Sequence, residues 1–237
     1  MVAAPAPLSI HPQPAEGAPT PSLGPRLRKL HTRIGRAHHQ AEGMAFSRAL
    51  LEERATPTQL VALLRSLAPA YALIDARAPE LASRLGVPDG PWEALARHTA
   101  LAHDLAQLST VPGAAPAAAL RWLDRLRLLA EEAPHRFLAH VYVRYGGDLS
   151  GGQQLAPAAN AILRRQGLPA LSFWVFDQPV ADLKHSLHAV FERLALTGEQ
   201  EAQLLDEAED AFRTTQSLLA ELAGVAPSED HPSPRPT

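Results

Sequence analysis

Gly146, Gly147, Gly151 and Gly152 place four glycines within seven residues, and no other stretch constrains the chain as much. They fall inside what otherwise reads as one helix from about His135 to Leu163. Each glycine costs about 1 kcal/mol against alanine in a helix interior. A chain that keeps all of them there needs bare backbone. Gly147 and Gly151 are four apart, so they share one face, one turn from each other. A helix with such a stripped face bends easily and lets a large flat ligand approach its backbone. Asp148 and Ser150 add polar atoms to the same turn.

Gly147 to Gly152 also has the glycine spacing of a phosphate-binding loop. Gln153 stands where that loop needs lysine, and no hydrophobic strand precedes it. That reading is set aside.

The remaining pattern is helical. From Pro25, the residues Leu27, Leu30, Ile34, His38, Ala41 and Ala45 recur at spacings of three and four, which predicts one apolar stripe with His38 inside it. A histidine on such a stripe is more often a satisfied core residue than a ligand. His31 lies two turns earlier and is nearly as well placed, whereas His39 points about 100° away. Thr56 or Thr58 is the expected cap of a helix from Gln59 to about Arg77, which carries Tyr71. A helix from about Pro91 to Leu108 follows, then a Pro/Ala/Gly linker at Pro112–Pro116. The next helix carries Leu120, Leu123, Leu126 and Leu129. Leu168–Pro179 reads as a loop whose Phe173, Trp174 and Phe176 either wall a pocket or pin the loop. A helix from about Val180 to Leu196 bears Lys184, His185 and His188. The last runs from about Gly198 to Leu222, with Glu199, Glu201, Asp206, Glu207, Glu209 and Asp210 read as a solvated face.

No segment alternates at period two, so the fold class is all-α with one helical domain at 25–224. The Pro/Ala-rich residues 1–24 and the polar, Pro-rich residues 225–237 are expected to be disordered tails. The chain contains no cysteine, which removes disulfides, iron–sulfur clusters and a thiolate iron ligand. A net charge of -3 argues against a nucleic-acid partner. No apolar run has the length of a membrane span and no basic signal start is present, so the expectation is a cytoplasmic protein with no membrane partner.

Tyr142-Val143-Arg144-Tyr145-Gly146-Gly147-Asp148-Leu149-Ser150-Gly151-Gly152-Gln153 resembles the distal-helix signature of haem oxygenases. His38-His39-Gln40-Ala41-Glu42 is similar to their proximal segment, a His followed by x-Gln-Ala-Glu. The resemblance runs from about Leu27 to Leu222. It implies a single-domain multi-helix bundle with haem held between a proximal and a kinked distal helix. It implies His38 as the axial iron ligand, with Glu42 near the opposite ring nitrogen, where a carboxylate fixes tautomer and orientation. It further implies that Gly147 and Gly151 lie over the haem, with Ser150 in the same turn. Asp148 would order a distal water together with Arg144 and Tyr71. Lys184 and Tyr142 match positions that meet the propionates, and His188 and His31 stand where relatives carry arginine and lysine. Thr215 stands where relatives carry a distal asparagine.

The function implied is oxidative cleavage of haem, as both cofactor and substrate, to biliverdin, carbon monoxide and ferrous iron. Oxygen and an electron donor such as a ferredoxin or a reductase would be partners of a monomeric protein. The alternative on the same fold is a haem-binding or haem-storage protein, against which Asp148 counts, because storage needs no distal proton network. A di-iron carboxylate bundle would need two Glu-x-x-His motifs. Glu132 to His135 supplies one, and Pro134 interrupts it.

Overall fold

The computed structural model describes residues 23–225, and among these every regular element is a helix. The expected tails lie outside the described residues, apart from 23, 24 and 225. The helices are α1 (Pro25–Glu42), α2 (Ala45–Leu51), α3 (Pro57–Arg84), α4 (Trp92–Leu95), α5 (His98–Gln107), α6 (Ala117–Glu132), α7 (Pro134–Asp148), α8 (Gly152–Arg165), α9 (Val180–Arg193) and α10 (Gly198–Ala223).

Helix α7 is the centre of the bundle. It packs on α3, α6, α8, α9 and α10, and its buried residues run around its whole circumference, from Phe137 to Tyr145. A helix apolar on all sides must lie inside. Helix α10 lies along both α7 and α1 and holds the two in register. The Gln216 side chain donates to the Ala37 carbonyl at 2.9 Å, which ties α10 to α1. At the other end of α1, the Arg26 guanidinium donates to the Phe191 carbonyl at 2.7 Å and the Leu194 carbonyl at 2.9 Å, closing the free C-terminal carbonyls of α9.

Several expected boundaries shift. The stripe read to Ala45 ends at Ala41: the chain turns at Gly43 and Met44, and Ala45 starts the separate helix α2, exposed. The buried face of α1 is Leu27, Leu30, Ile34, Ala37 and Ala41. His38 sits beside it rather than in it, because Ala37 takes the inward position. Helix α3 is capped by Thr56, not Thr58, through a full capping box with Gln59. It runs past Arg77 despite Pro69 and Pro79, since Ala78, Leu81 and Ala82 are buried in the same core. The segment read as Pro91–Leu108 divides at Arg97, where the Arg97 and His98 amides turn to donate to Asp75 at 2.8 Å. Glu132 ends α6 and His135 belongs to α7, so the lone Glu-x-x-His spans two helices.

The long helix read from His135 to Leu163 is two, broken at 149–151 between α7 and α8. None of its four glycines has a positive φ. What they contribute is a missing side chain. Gly113 is a different case: its φ is +152°, and a Cβ there would sit 2.5 Å from the Thr58 carbonyl oxygen and 2.9 Å from the Ala62 nitrogen. Gly113→Ala is therefore expected to destabilise the fold by roughly 1–3 kcal/mol, read as a lower urea midpoint.

Candidate active site

A cleft opens between α1 and α7, floored by α10. It comprises two adjoining cavities of about 280 and 190 Å³ that share His38, Val143, Gly147 and Phe212. Small-molecule sites usually span about 300–1,000 Å³, which the joined cleft reaches. On the α7 side, a Cβ built on Gly146 or Gly147 would meet nothing within 4 Å, and the same is true of Gly35 on α1. The two helices face each other across bare backbone. Gly151 and Gly152 both line the inner cavity, but a Cβ on Gly152 would sit only 2.5 Å from the Trp174 ring.

The His38 imidazole lines both cavities and is half-exposed, with its ring 5.6 Å from that of Phe212. Its Nδ1 lies 3.7 Å from Glu42, which is beyond hydrogen-bonding distance, and the same carboxylate lies 3.7 Å from His39 Nδ1. Glu42 is near the ring, as its spacing implied, but it is shared and solvated.

The outer cavity gathers positive and polar groups. His31 Nε2 and the Tyr142 hydroxyl are 2.8 Å apart, and the His31 and His188 rings are 5.9 Å apart. Lys184, one turn before His188 on α9, donates to Ser150 Oγ at 2.9 Å and so ties α9 to the turn after α7. Burial, then the charges of His31 and Lys184, lower the His188 pKa to about 4. Burial and the Lys184 charge also lower that of His31. Tyr142 is raised, chiefly by burial. Near neutral pH Lys184 supplies the charge here and the two imidazoles supply neutral hydrogen-bonding groups.

The inner cavity ends at Asp148, which is 2 % exposed. The Tyr71 hydroxyl donates to Asp148 Oδ2. Arg144 Nε donates to that hydroxyl at 3.3 Å, and Arg144 Nη2 stands 3.8 Å from Asp148 Oδ1. Burial raises the Asp148 pKa to about 6, against the pull of Arg144 and Tyr71. A carboxyl poised there can take or give a proton near neutrality. Tyr71 is raised well above its ordinary value by burial. Thr215 lines this cavity, but its hydroxyl donates back to Ala211 of its own helix at 3.0 Å.

Gly35, Val143 and Phe212 also line the cleft and carry no chemistry that marks them in the sequence. Glu207 departs from the expected solvated face. That residue is 1 % exposed, not on a solvated face. It accepts from Arg125 at 2.7 Å and Arg136 at 2.8 Å and pairs with His140 at 2.9 Å. Burial would raise its pKa, but the His140 and Arg125 hydrogen bonds hold it at about 2. In the aromatic loop, Trp174 meets the expectation of a pocket wall, and the pinning comes from a residue outside the loop. Trp174 lines the inner cavity, while Asp104 pins the loop by accepting from the Ser172 and Phe173 amides at 2.9 Å.

Comparison with known proteins points the same way. The chain matches the Heme oxygenase family over residues 25–221. It is 35 % identical over 109 residues to a heme oxygenase of Takifugu rubripes, covering 45 % of this chain and 39 % of the relative. It is 36 % identical over 110 residues to heme oxygenase 1 of Synechocystis sp., covering 46 % of this chain and 45 % of the relative. The chain thus spans less than half the length of these relatives. Among solved structures, heme oxygenase-1 from Synechocystis sp. in complex with heme superposes with a TM-score of 0.71 at 25 % identity, covering 84 % of this chain and 92 % of that one. The heme oxygenase of Leptospira interrogans gives a TM-score of 0.65 at 25 % identity, covering 83 % of this chain and 98 % of that one. With the family matched across nearly all of the helical core, the chain belongs to the heme oxygenase family.

Proposed function

We propose that the α1–α7 cleft binds haem and that the protein cleaves it oxidatively to biliverdin, carbon monoxide and ferrous iron, using oxygen and electrons from a separate donor such as a ferredoxin or a reductase. One observation carries this reading: a buried carboxyl, held by Tyr71 and Arg144, borders the same cavity as a half-exposed imidazole, beside backbone stripped of side chains. The donor set suits haem. His38 offers a neutral nitrogen for iron, Gly35, Gly146 and Gly147 leave room for a flat macrocycle, and Lys184, His31, His188 and Tyr142 suit its carboxylates.

Haem, when bound, supplies both the iron that activates oxygen and the carbon that is oxidised. The chain's own residues do the rest. His38 would hold the iron as a neutral imidazole, with Glu42 nearby but beyond hydrogen-bonding distance of the ring. Lys184, with His31, His188 and Tyr142, would fix the propionates. Asp148, oriented by Tyr71 and Arg144, would hold a water and move a proton through it. Trp174, Leu63, Leu67 and Phe46 keep the surroundings dry. A storage protein on this fold would gain nothing from keeping an acid at about 6 in its interior, and that favours the catalytic reading over haem storage.

The test is a haemin titration of the purified protein followed by absorbance, with bilin extraction after a reductant is added. One equivalent should bind and biliverdin should form; no change in the haem spectrum would overturn the proposal. His38→Ala should remove the spectral signature of an imidazole-ligated iron, and added imidazole should restore turnover. If His31→Ala does this and His38→Ala does not, the ligand is misassigned. Lys184→Glu should weaken haem binding by about fivefold or more, the loss of at least one ion pair of about 1 kcal/mol, or change the biliverdin isomer ratio. Affinity and isomer ratio both equal to the parent's would remove Lys184 from the site.

A further inference from the structure

Arg144 has few direct anchors. Its Nε makes one hydrogen bond, to Tyr71 at 3.3 Å, and its Nη2 stands 3.8 Å from Asp148. Two aromatic rings also flank it. The guanidinium carbon lies 5.6 Å from the centre of the Tyr71 ring and 5.7 Å from that of the Trp122 ring. Both fall within the range of about 6 Å where a ring face attracts a cation, and tryptophan does so most strongly.

Trp122 comes from α6, outside the cleft, and is itself fixed from behind. Its indole Nε1 donates to His140 Nδ1 at 3.3 Å. A ring nitrogen that accepts carries no proton, so His140 holds its hydrogen on Nε2 and donates to Glu207 Oε1 at 2.9 Å. Glu207 is held in turn by Arg125 and Arg136. Trp122, His140 and Glu207 are all buried. A fixed order of contacts therefore runs from Glu207 through His140 and Trp122 to Arg144, Tyr71 and Asp148, joining α10, α7, α6 and α3.

We infer that Trp122 is a positioning residue for this site: its ring face, locked by His140, keeps the Arg144 guanidinium against Tyr71 and Asp148. The inference rests on the proposed function only in taking Asp148 as the group that handles protons. Arg144 is the largest influence pulling the Asp148 pKa down, with Tyr71 next and Arg97 after it. An Arg144 that swings away should thus let the Asp148 carboxyl titrate higher.

The experiment is carbon-13 NMR titration of the Asp148 carboxyl in the protein without added haem, so it stands whether or not haem is the substrate. Trp122→Met, which keeps bulk but removes the ring, should raise the Asp148 midpoint by about one pH unit, the low end of what a neighbouring opposite charge does. Trp122→Phe, with a weaker ring face, should raise it by a few tenths. In an Arg144→Met background the same Trp122 substitutions should move the midpoint no further, because the residue through which they act is gone. If Trp122→Met does not fold, Trp122→Tyr and Trp122→Phe serve in its place, with both midpoints above the parent's. A midpoint that stays put across the folded Trp122 variants overturns the inference. So does an equal rise in the Arg144→Met background, which would mark a general loosening of the core.

Discussion

Asp148→Ala is expected to bind haem as the parent does and to form biliverdin about 10²- to 10³-fold more slowly, the usual loss when one ordered polar group is taken from a reacting site. The residue is buried and held by Tyr71 and Arg144 at the inner end of the cleft. Removing it leaves His38, the bare α7 backbone and Lys184 untouched, so binding and turnover should separate. Asp148→Asn is the sharper comparison. An amide can still hold a water in place but cannot change its protonation, so residual activity in that variant would assign Asp148 an orienting rather than a proton-transferring role. Near-parent biliverdin formation by Asp148→Ala would remove the residue from the mechanism.

The raised pKa of Asp148 adds a stability signature with a definite sign. Its folded value of about 6 lies above the ordinary 3.8, so the folded state prefers the protonated acid. Stability linked to this group is present at low pH and is lost as pH rises from about 4 through 6. Asp148→Asn should therefore stand higher relative to the parent at pH 8 than at pH 4 in denaturant titrations. A gap that does not change with pH would mean the carboxyl titrates normally.

Glu207→Ala is the second large effect, on stability instead of rate. The substitution leaves Arg125, Arg136 and His140 converging on a site without a carboxylate. Breaking a buried pair in this way costs about 3–5 kcal/mol, and the partial exposure of both arginines favours the lower end. The linkage has the opposite sign to that of Asp148. The folded pKa is depressed to about 2 from 4.5, so the stability is present above pH 4.5 and is lost as pH falls toward 2. The parent should weaken across that window more steeply than Glu207→Ala. An unfolding free energy within about 1 kcal/mol of the parent's, on the order of a surface pair, would show that the arginines simply turn out to solvent.

Glu207 also shows where the sequence is hard to read. Its neighbours Glu209 and Asp210 do pair with an exposed arginine, Arg213, and the local signal that separates it from them is its place three after Leu204 and four before Ala211, on the buried stripe of α10. Burial of a charge is decided by what other helices bring to it, here three basic residues from α6 and α7. The same holds for α1, where spacing put His38 on the stripe but the packing of α10 gave Ala37 the inward place. Positions tied to short-range chemistry were legible: a threonine cap at 56 or 58, most of the helices, and the glycine run with Asp148. The joining of His31, Tyr142, Lys184 and His188 was not derivable from spacing, since they come from three helices. The resemblance supplied it.

The four glycines that look alike in the sequence are under two unrelated constraints. Gly152 has no space for even a methyl group beside Trp174, whatever the cleft contains. Gly146 and Gly147 face open space, and the fold would accept larger residues there. A lineage that kept this fold but gave up its ligand should drift at 146 and 147 and stay fixed at 152. Among descendants of such a protein, the pair would record whether the cleft is still in use, and Gly152 would record only that the chain still folds.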